Sequence, residues 1–213
     1  MRKSKVETAQ TRERIVSSAS AMFREDGLAN VSVVDLMANA GLTHGGFYAH
    51  FASRDELVAE AIRYALAQSA RRIYRSELKN GSKPGYSRLI QRYLSREHRD
   101  NPQSGCVMAS VGSELARTEG EARSVYSTDF EKLVTLLAEL SPARTRIARR
   151  SHFLSVISSL VGALTLARAV QDSDASEEIL ASVRQALLRG ERSRNARNAS
   201  SKNKLASAQE RRQ

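Results

Sequence analysis

Short polar and aromatic side chains cluster between Thr43 and Arg54, at spacings that suit hydrogen bonding to another molecule. A small donor or acceptor can distinguish one base pair from another in a DNA groove. Hydroxyl, imidazole and guanidinium groups bond phosphate oxygens, and such bonds fix the register of a protein on a duplex. We therefore predict base-edge contacts from Thr43, His44 and Gly46, and phosphate contacts from Tyr48, His50 and Arg54.

The adjacent glycines Gly45 and Gly46 need an explanation, because each costs about 1 kcal/mol relative to alanine inside a helix. Close approach of the backbone to DNA would supply one explanation, and a loose helix start would supply another. Ser32 and Val33 begin the preceding helix and could donate amide hydrogen bonds to a phosphate. We include all four residues in the predicted DNA-binding surface.

Cys106 is the second candidate for chemistry. It follows Gly105 and is predicted to lie at a helix N-terminus, where the helix dipole favours the thiolate. His98, Arg96 and Arg99 are close in sequence and could add positive charge. One interpretation is a redox- or electrophile-sensing thiol; the alternative is a buried structural cysteine, a common position for this residue.

The other reactive residue types form no catalytic or metal-binding pattern. His44, His50, His98 and His152 have neither metal-ligand spacing nor a cysteine at short range, so we predict no metal site. No phosphate-binding or dinucleotide-binding glycine motif occurs, and no cofactor is predicted. A helical enzyme is therefore disfavoured.

Two short helices joined by a glycine turn are predicted to position the polar cluster. Val33, Leu36, Met37 and Ala40 form one apolar stripe at helical spacing. Ser32 is predicted to cap this helix, and Gly41 to end it. Thr43 is predicted to cap a second helix, in which the core residues Phe47 and Phe51 share a face. This is the pattern of a helix-turn-helix, which places its second helix in the DNA major groove.

The whole chain is predicted to be all-α, because proline and glycine are scarce and no alternating strand pattern occurs. The predicted helices beside the motif span about 6–26, 54–78 (capped by Ser53), 86–98, 106–117 and 121–140. A further helix is predicted to start at Ser141-Pro142 and reach Val170, and a last one is predicted to be capped by Ser176. We divide the chain into residues 1–52, 53–189 and a basic, disordered tail at 190–213.

From Thr11 to about Ile62 the chain resembles the DNA-binding domain of the TetR family of bacterial transcription regulators. The resemblance is carried by Phe23 to Gly27, Asp35, Ala40-Gly41-Leu42, the spacing of Gly45, Tyr48 and Phe51, and Asp55 to Leu57. It implies a three-helix N-terminal helix-turn-helix domain and a helical C-terminal ligand-sensing and dimerisation domain. Gly46 stands where the family usually has threonine, and Ala49 where it often has a polar residue, so the operator sequence is not implied.

The predicted helix through Phe153 to Val170 is apolar on more than one face and must be covered on nearly all sides. Either the last two helices form the core of one subunit, or they pair with a second copy in a four-helix bundle. The resemblance favours the dimer, because family members pair through their last two long helices. The predicted interface comprises Phe153, Ile157, Leu160, Val161, Leu164, Ile179, Val183 and Leu187.

The resemblance also implies a small effector bound between the long fourth helix and the C-terminal helices. Residues 93–117 resemble a subgroup that includes regulators of electrophile and oxidant detoxification. The predicted pocket or sensor residues, each of which could equally be core, are Cys106, Tyr64, Tyr93, Met108, Val111, Leu115 and Phe153.

The net charge of +11 is concentrated at the two ends of the chain. Residues 1–14 hold five Lys or Arg against two Glu, and residues 190–213 hold seven against two. Basic arms suit phosphate neutralisation, although terminal charge can also simply keep disordered ends solvated. The single cysteine fits a reducing compartment, and no apolar run or signal segment predicts a membrane span, so a cytoplasmic protein is expected.

The sequence thus predicts a homodimeric transcriptional repressor that binds a palindromic operator in double-stranded DNA and is released by a small-molecule or electrophile signal. The alternative within this class is direct sensing by the Cys106 thiol. The alternative of another class is an architectural protein that uses its basic arms to bind DNA of any sequence.

Overall fold

The computed structural model describes residues 4–78, 85–141 and 143–190, and for 72–78 it describes the backbone alone. These residues form helices and turns with no strand, which confirms the all-α class. The helices are α1 (Lys5–Asp26), α2 (Val33–Asn39), α3 (Arg54–Leu78), α4 (Tyr86–Tyr93), α5 (Arg96–Asp100), α6 (Val107–Leu115), α7 (Glu121–Ala138), α8 (Arg146–Ala169) and α9 (173–190). Residues 191–213, nearly all of the predicted basic tail, lie outside the described residues, as do 1–3.

The predicted ends of the first two helices are confirmed by their capping bonds. Ser4 and Glu7 cap α1 reciprocally, and Gly27 ends it with a φ of 85°. Ser32 caps α2 through the same reciprocal arrangement, and Gly41 follows it with a φ of 71°. Glycine adopts this left-handed backbone without the steric penalty that other residues incur, so both turns are fixed locally.

The second motif helix differs from its prediction. His44–Ala49 is a 3-10 helix, and Thr43 precedes it without a side-chain capping bond. Two consecutive glycines lower the propensity for a regular α-helix, which accounts for the shorter and tighter element. Phe47 and Phe51 are each about 1% exposed and stack at 5.5 Å, so the predicted core role of these two rings is confirmed. We call His44–Ala49 the recognition segment.

The prediction of one continuous helix over 86–98 is wrong. The helix is broken at Leu94, which has a φ of −96° and a ψ of 43°, and α5 starts after a new cap at Ser95. The Ser95 hydroxyl accepts a hydrogen bond from the backbone N–H of His98. The break turns the chain back towards the body of the protein, and the 3-10 helix Pro102–Ser104 then leads into α6.

The starts of the last two helices were also predicted wrongly. Thr145 caps α8, four residues beyond the predicted start at Ser141, and Pro142 lies outside the described residues. Ser176 lies inside α9, where its hydroxyl donates to the Ala167 carbonyl at 2.6 Å. Asp172 accepts from the first amides of α9 instead, a capping role that its carboxylate fills as well as serine does.

One hydrophobic core runs from α1 through α9, so the predicted boundary at residue 53 does not interrupt the packing. Helix α3 connects the two ends, packing against α1 on one side and α7 on the other. Among the described helices, α8 alone is long and apolar enough to cross a membrane, contrary to the expectation from the sequence. Its buried residues, among them Phe153, Leu160 and Leu164, lie in this core, as those of a central helix would.

Candidate DNA-binding surface and ligand cavity

The recognition segment presents polar and aromatic groups outwards from a buried aromatic base. Phe47 anchors it in the core, and the next residue, Tyr48, is 70% exposed. The two rings meet edge to face at 5.2 Å, and His44 approaches the Tyr48 ring edge to face at 6.4 Å. Thr43, His44 and Tyr48 therefore share one solvent-facing surface whose position is set by Phe47.

Gly45 and Gly46 are not required by the fold of the recognition segment. Neither has a positive φ. A Cβ atom at Gly45 would meet nothing within 4 Å, and one at Gly46 would meet the Met37 side chain at an ordinary 3.5 Å. Because the protein itself leaves room for a side chain, the small size of these residues fits close approach by another molecule better than a packing need.

One of the predicted phosphate contacts, that of Arg54, is changed by the structure. The Arg54 guanidinium donates to the carbonyls of Leu28 and Val31, so it is directed into the domain rather than towards a ligand. His50 is half-buried, with its ring tilted against Phe51 at 6.4 Å. We withdraw Arg54 from the predicted surface, because its hydrogen bonds already hold the turn before α2.

The polar groups of Ser32 and Asp35 at the N-terminus of α2 are already hydrogen-bonded to each other. The Asp35 carboxylate accepts from the Ser32 N–H at 3.2 Å and from the Ser32 hydroxyl at 2.5 Å. The hydroxyl bond lowers the pKa of Asp35 below its usual value, so a negative charge persists at this helix end. Ser32 is thus engaged within the domain, while the phosphate contact of Val33 stays a prediction.

A cavity of about 250 Å³ lies between α3, α4, α6, α7 and α8. Four of the predicted pocket residues line it: Cys106, Tyr93, Met108 and Phe153. The other three do not. Val111 and Leu115 are fully packed core residues, and the Tyr64 hydroxyl accepts from Ser17 at the α1–α3 contact.

Cys106 begins α6 as predicted, but the charges expected around it are arranged differently. His98 is neutral, because its Nδ1 donates to the Tyr93 carbonyl at 2.7 Å while its Nε2 accepts from the Cys106 N–H at 3.0 Å. Arg96 pairs with Glu177, and Arg99 pairs with its neighbouring aspartate. None of the three therefore supplies the predicted positive charge to the thiol.

Arg168, which the sequence did not single out, is the cation behind this wall of the cavity. Its guanidinium donates to the carbonyls of His98 at 2.8 Å and Arg99 at 3.1 Å, and to the Ser110 hydroxyl at 3.3 Å. Burial lowers the pKa of Arg168 from its ordinary value. Gly105 fits between Arg168 and His98, since a Cβ there would lie 2.9 Å from the guanidinium.

A buried arginine connects this wall to the DNA-binding end of the chain. Arg24, 4% exposed at the end of α1, donates to the Gly105 carbonyl at 3.0 Å and to Gln68 of α3 at 3.2 Å. A second connection joins the Glu114 carboxylate of α6 to the Ala29 N–H at 3.0 Å. The segment that leads into α6, and α6 itself, are therefore hydrogen-bonded to the end of α1 and to the turn that follows it.

The predicted dimer interface is partly wrong. Phe153, Ile157, Leu160 and Leu164 are between 0% and 6% exposed within a single chain, so they form its core rather than a surface. The other four predicted residues, Val161, Ile179, Val183 and Leu187, are half-buried. The exposed residues of α8 instead include small ones and two large apolar side chains: Ser155, Ser158, Ser159, Gly162, Ile147 and Leu166.

No group of three or more potential metal ligands occurs among the residues that the structure describes. The fold and the exposed recognition segment define a class: helix-turn-helix regulators of transcription. The family model for bacterial regulatory proteins of the TetR family matches residues 15–61, which run from the middle of α1 through α2 and the recognition segment into the start of α3.

Proteins of similar sequence are also helix-turn-helix regulators of transcription. An uncharacterised helix-turn-helix regulator of Mycobacterium tuberculosis is 29% identical over 76% of this chain and 86% of its own length. The repressor KstR2 of the same species is 42% identical over 52 residues, or 24% of this chain and 26% of its own. Residues 15–61 therefore belong to the TetR family of DNA-binding domains, and the relatives indicate a DNA-binding transcriptional regulator rather than an enzyme.

Solved structures share the fold over most of the chain. Reduced Escherichia coli NemR aligns with a TM-score of 0.64 at 18% identity, covering 82% of this chain and 95% of its own. A TetR-family regulator from Cytophaga hutchinsonii aligns with a TM-score of 0.66 at 20% identity, covering 87% and 97%.

Proposed function

We propose that this regulator is a repressor that binds a palindromic operator as a homodimer and releases it when a small molecule occupies the cavity. The observation that carries the DNA-binding part is the exposed surface of Thr43, His44 and Tyr48 on the buried Phe47 anchor. Thr43, His44 and the two glycines would face base edges, and Tyr48 and His50 would bond phosphates. Val33 would add a backbone amide to a phosphate.

A single recognition segment of six residues reaches few base pairs, so specificity requires a second copy. Two such segments about 34 Å apart would enter successive major grooves on one side of the duplex. We place the pairing face on α8 and α9, because α8 exposes small residues that permit close approach beside the exposed Leu166. The half-buried Val161, Ile179, Val183 and Leu187 would complete the pairing face.

Release follows from the contacts between the cavity and α1. A ligand beside Cys106 would press on the segment that bonds Arg24 and on α6, which bonds Ala29. It would favour a dimer in which the recognition segments are wrongly spaced for successive grooves. The ligand acts only through its differential affinity for these two states.

Footprinting on the DNA that flanks the gene should reveal a discrete protected palindrome, with two half-sites one helical turn apart. Titration at fixed salt should then give an affinity for this site at least a thousandfold above that for unrelated DNA, on the order expected for specific binding. Uniform protection of any duplex would contradict the proposal and favour the architectural alternative.

Cys106→Ser should leave ligand-induced release intact, because the thiol is only 5% exposed and the neighbouring imidazole of His98 is neutral. The measurement is the operator affinity of wild type and variant with and without an inducing molecule. Loss of release in Cys106→Ser, with operator binding retained, would favour direct thiol sensing instead. An adduct on the wild-type thiol by intact mass would identify that route.

A further inference from the structure

The cavity is lined mainly by apolar side chains, and its polar groups are nearly all bonded within the protein. Leu133, Leu137, Phe153, Ile157 and Leu160 form much of its wall. The hydroxyls of Ser69, Ser95 and Ser104 each donate to a backbone carbonyl. The two ring nitrogens of His98 are both engaged.

Tyr93 is the exception on this wall. Its hydroxyl is buried beside the Cys106 thiol, a weak hydrogen-bonding group, and makes no hydrogen bond to an oxygen or nitrogen atom of the described residues. Burial, reinforced by the neighbouring thiol, raises the pKa of Tyr93 well above its ordinary value, so the hydroxyl keeps its proton and can donate. Buried hydroxyls are normally hydrogen-bonded to an oxygen or nitrogen atom, so a hydroxyl at a cavity wall with only a thiol beside it marks a place for a stronger acceptor.

The charges around the cavity favour an acceptor over a cation. Arg168 lies close enough to Tyr93 and Cys106 to interact with both, and its positive charge disfavours a second cation there. Arg92 and Glu97, at the rim, are both exposed, so water screens them. No carboxylate faces the inner wall among the described lining residues, so a bound ammonium would lack a counter-ion.

The volume restricts the size of the ligand. The cavity, at about 250 Å³, exceeds the ~150 Å³ of an engineered apolar cavity that holds benzene. It lies slightly below the ~300 Å³ at which drug-sized pockets begin. A single substituted ring or a short branched chain fits this space.

We propose that the cavity binds an uncharged, mainly apolar molecule of one ring or comparable size whose carbonyl oxygen accepts the hydrogen bond of the Tyr93 hydroxyl. This inference rests on the proposed function, because it names the class of effector for the same cavity. The apolar part of the ligand packs against Phe153, Ile157 and Leu160, and the carbonyl lies at the Cys106 end.

Acetophenone and ethylbenzene test this assignment, because they share a shape and differ in the carbonyl. By calorimetry on the full-length protein, acetophenone should bind roughly tenfold more tightly than ethylbenzene. Tyr93→Phe should weaken acetophenone roughly tenfold and leave ethylbenzene unchanged, which abolishes the discrimination. Tyr64→Phe is the matched control, because it removes a hydroxyl outside the cavity and should keep wild-type discrimination.

Several results would overturn the inference: no binding of either probe, equal binding of both by the wild type, or discrimination that survives in Tyr93→Phe. Tighter binding of 1-phenylethylamine than of acetophenone would do the same, because it would require a cation site. Operator footprinting of the unliganded protein is run in parallel. If the protein protects a palindrome but does not select the carbonyl ligand, only this inference is wrong. If the protein has no specific operator, the proposed function is wrong.

Discussion

Replacing Gly162 with arginine should convert the protein from a dimer to a monomer and weaken operator binding on the order of a hundredfold or more. Gly162 is exposed near the middle of the outer face of α8, where a long charged side chain would separate two copies packed through that face. A monomer retains its recognition segment but contacts one half-site at a time, so it loses the affinity that comes from holding both.

The substitution should not damage the fold of a single chain. A Cβ at Gly162 would meet nothing within 4 Å, and an exposed glycine inside a helix costs about 1 kcal/mol relative to a good helix former. The free energy of unfolding of a single chain should therefore be unchanged or slightly higher in Gly162→Arg, and urea unfolding measures it. This separates loss of pairing from loss of folding.

Sedimentation equilibrium and operator titration at fixed salt measure the two effects. Ser127→Arg is the matched control, because Ser127 is exposed on α7 and the change adds the same charge and bulk away from the proposed face. The control should remain dimeric and bind the operator at least as tightly as wild type. A Gly162→Arg protein that stays dimeric would place the interface on another surface.

The sequence predicts best those features that are set by neighbours in the chain. Gly27 and Gly41 end helices because their positive φ is a local steric matter, and Ser32 caps α2 through a bond across three residues. The burial of Phe47 and Phe51 follows from helical spacing within the motif. These local rules were sufficient to locate the recognition segment, although not its 3-10 geometry.

Features that depend on distant parts of the chain could not be predicted in this way. The apolar residues of α8 could be read either as a core or as a pairing face, and the fold places Phe153 and Leu160 in the core. Arg24 looks like an ordinary basic residue at a helix end, yet it is buried because Gly105, 81 positions away, accepts its hydrogen bond. The neutral state of His98 likewise depends on bonds to Tyr93 and Cys106 that only the broken α4–α5 segment creates.

Phe47→Ala and Tyr48→Phe should separate stability from DNA binding at adjacent positions. Phe47 is about 1% exposed and stacks on Phe51, so its truncation should lower the free energy of unfolding by about 3–5 kcal/mol. Tyr48 is 70% exposed, and phenylalanine keeps its edge-to-face contact with Phe47, so its stability should change by less than about 0.5 kcal/mol.

Operator affinity should fall more for Tyr48→Phe than for Phe47→Ala when the two variants are compared under conditions in which both are folded. Tyr48→Phe loses only a hydroxyl, yet a hydrogen bond to a charged phosphate contributes about 1.5–3 kcal/mol, so binding should weaken at least tenfold per half-site. Urea unfolding followed by circular dichroism measures the first quantity, and operator titration at fixed salt measures the second. If Tyr48→Phe bound the operator as tightly as wild type, Tyr48 would not contact the backbone, and the DNA would have to meet the recognition segment through His44 and the glycines alone.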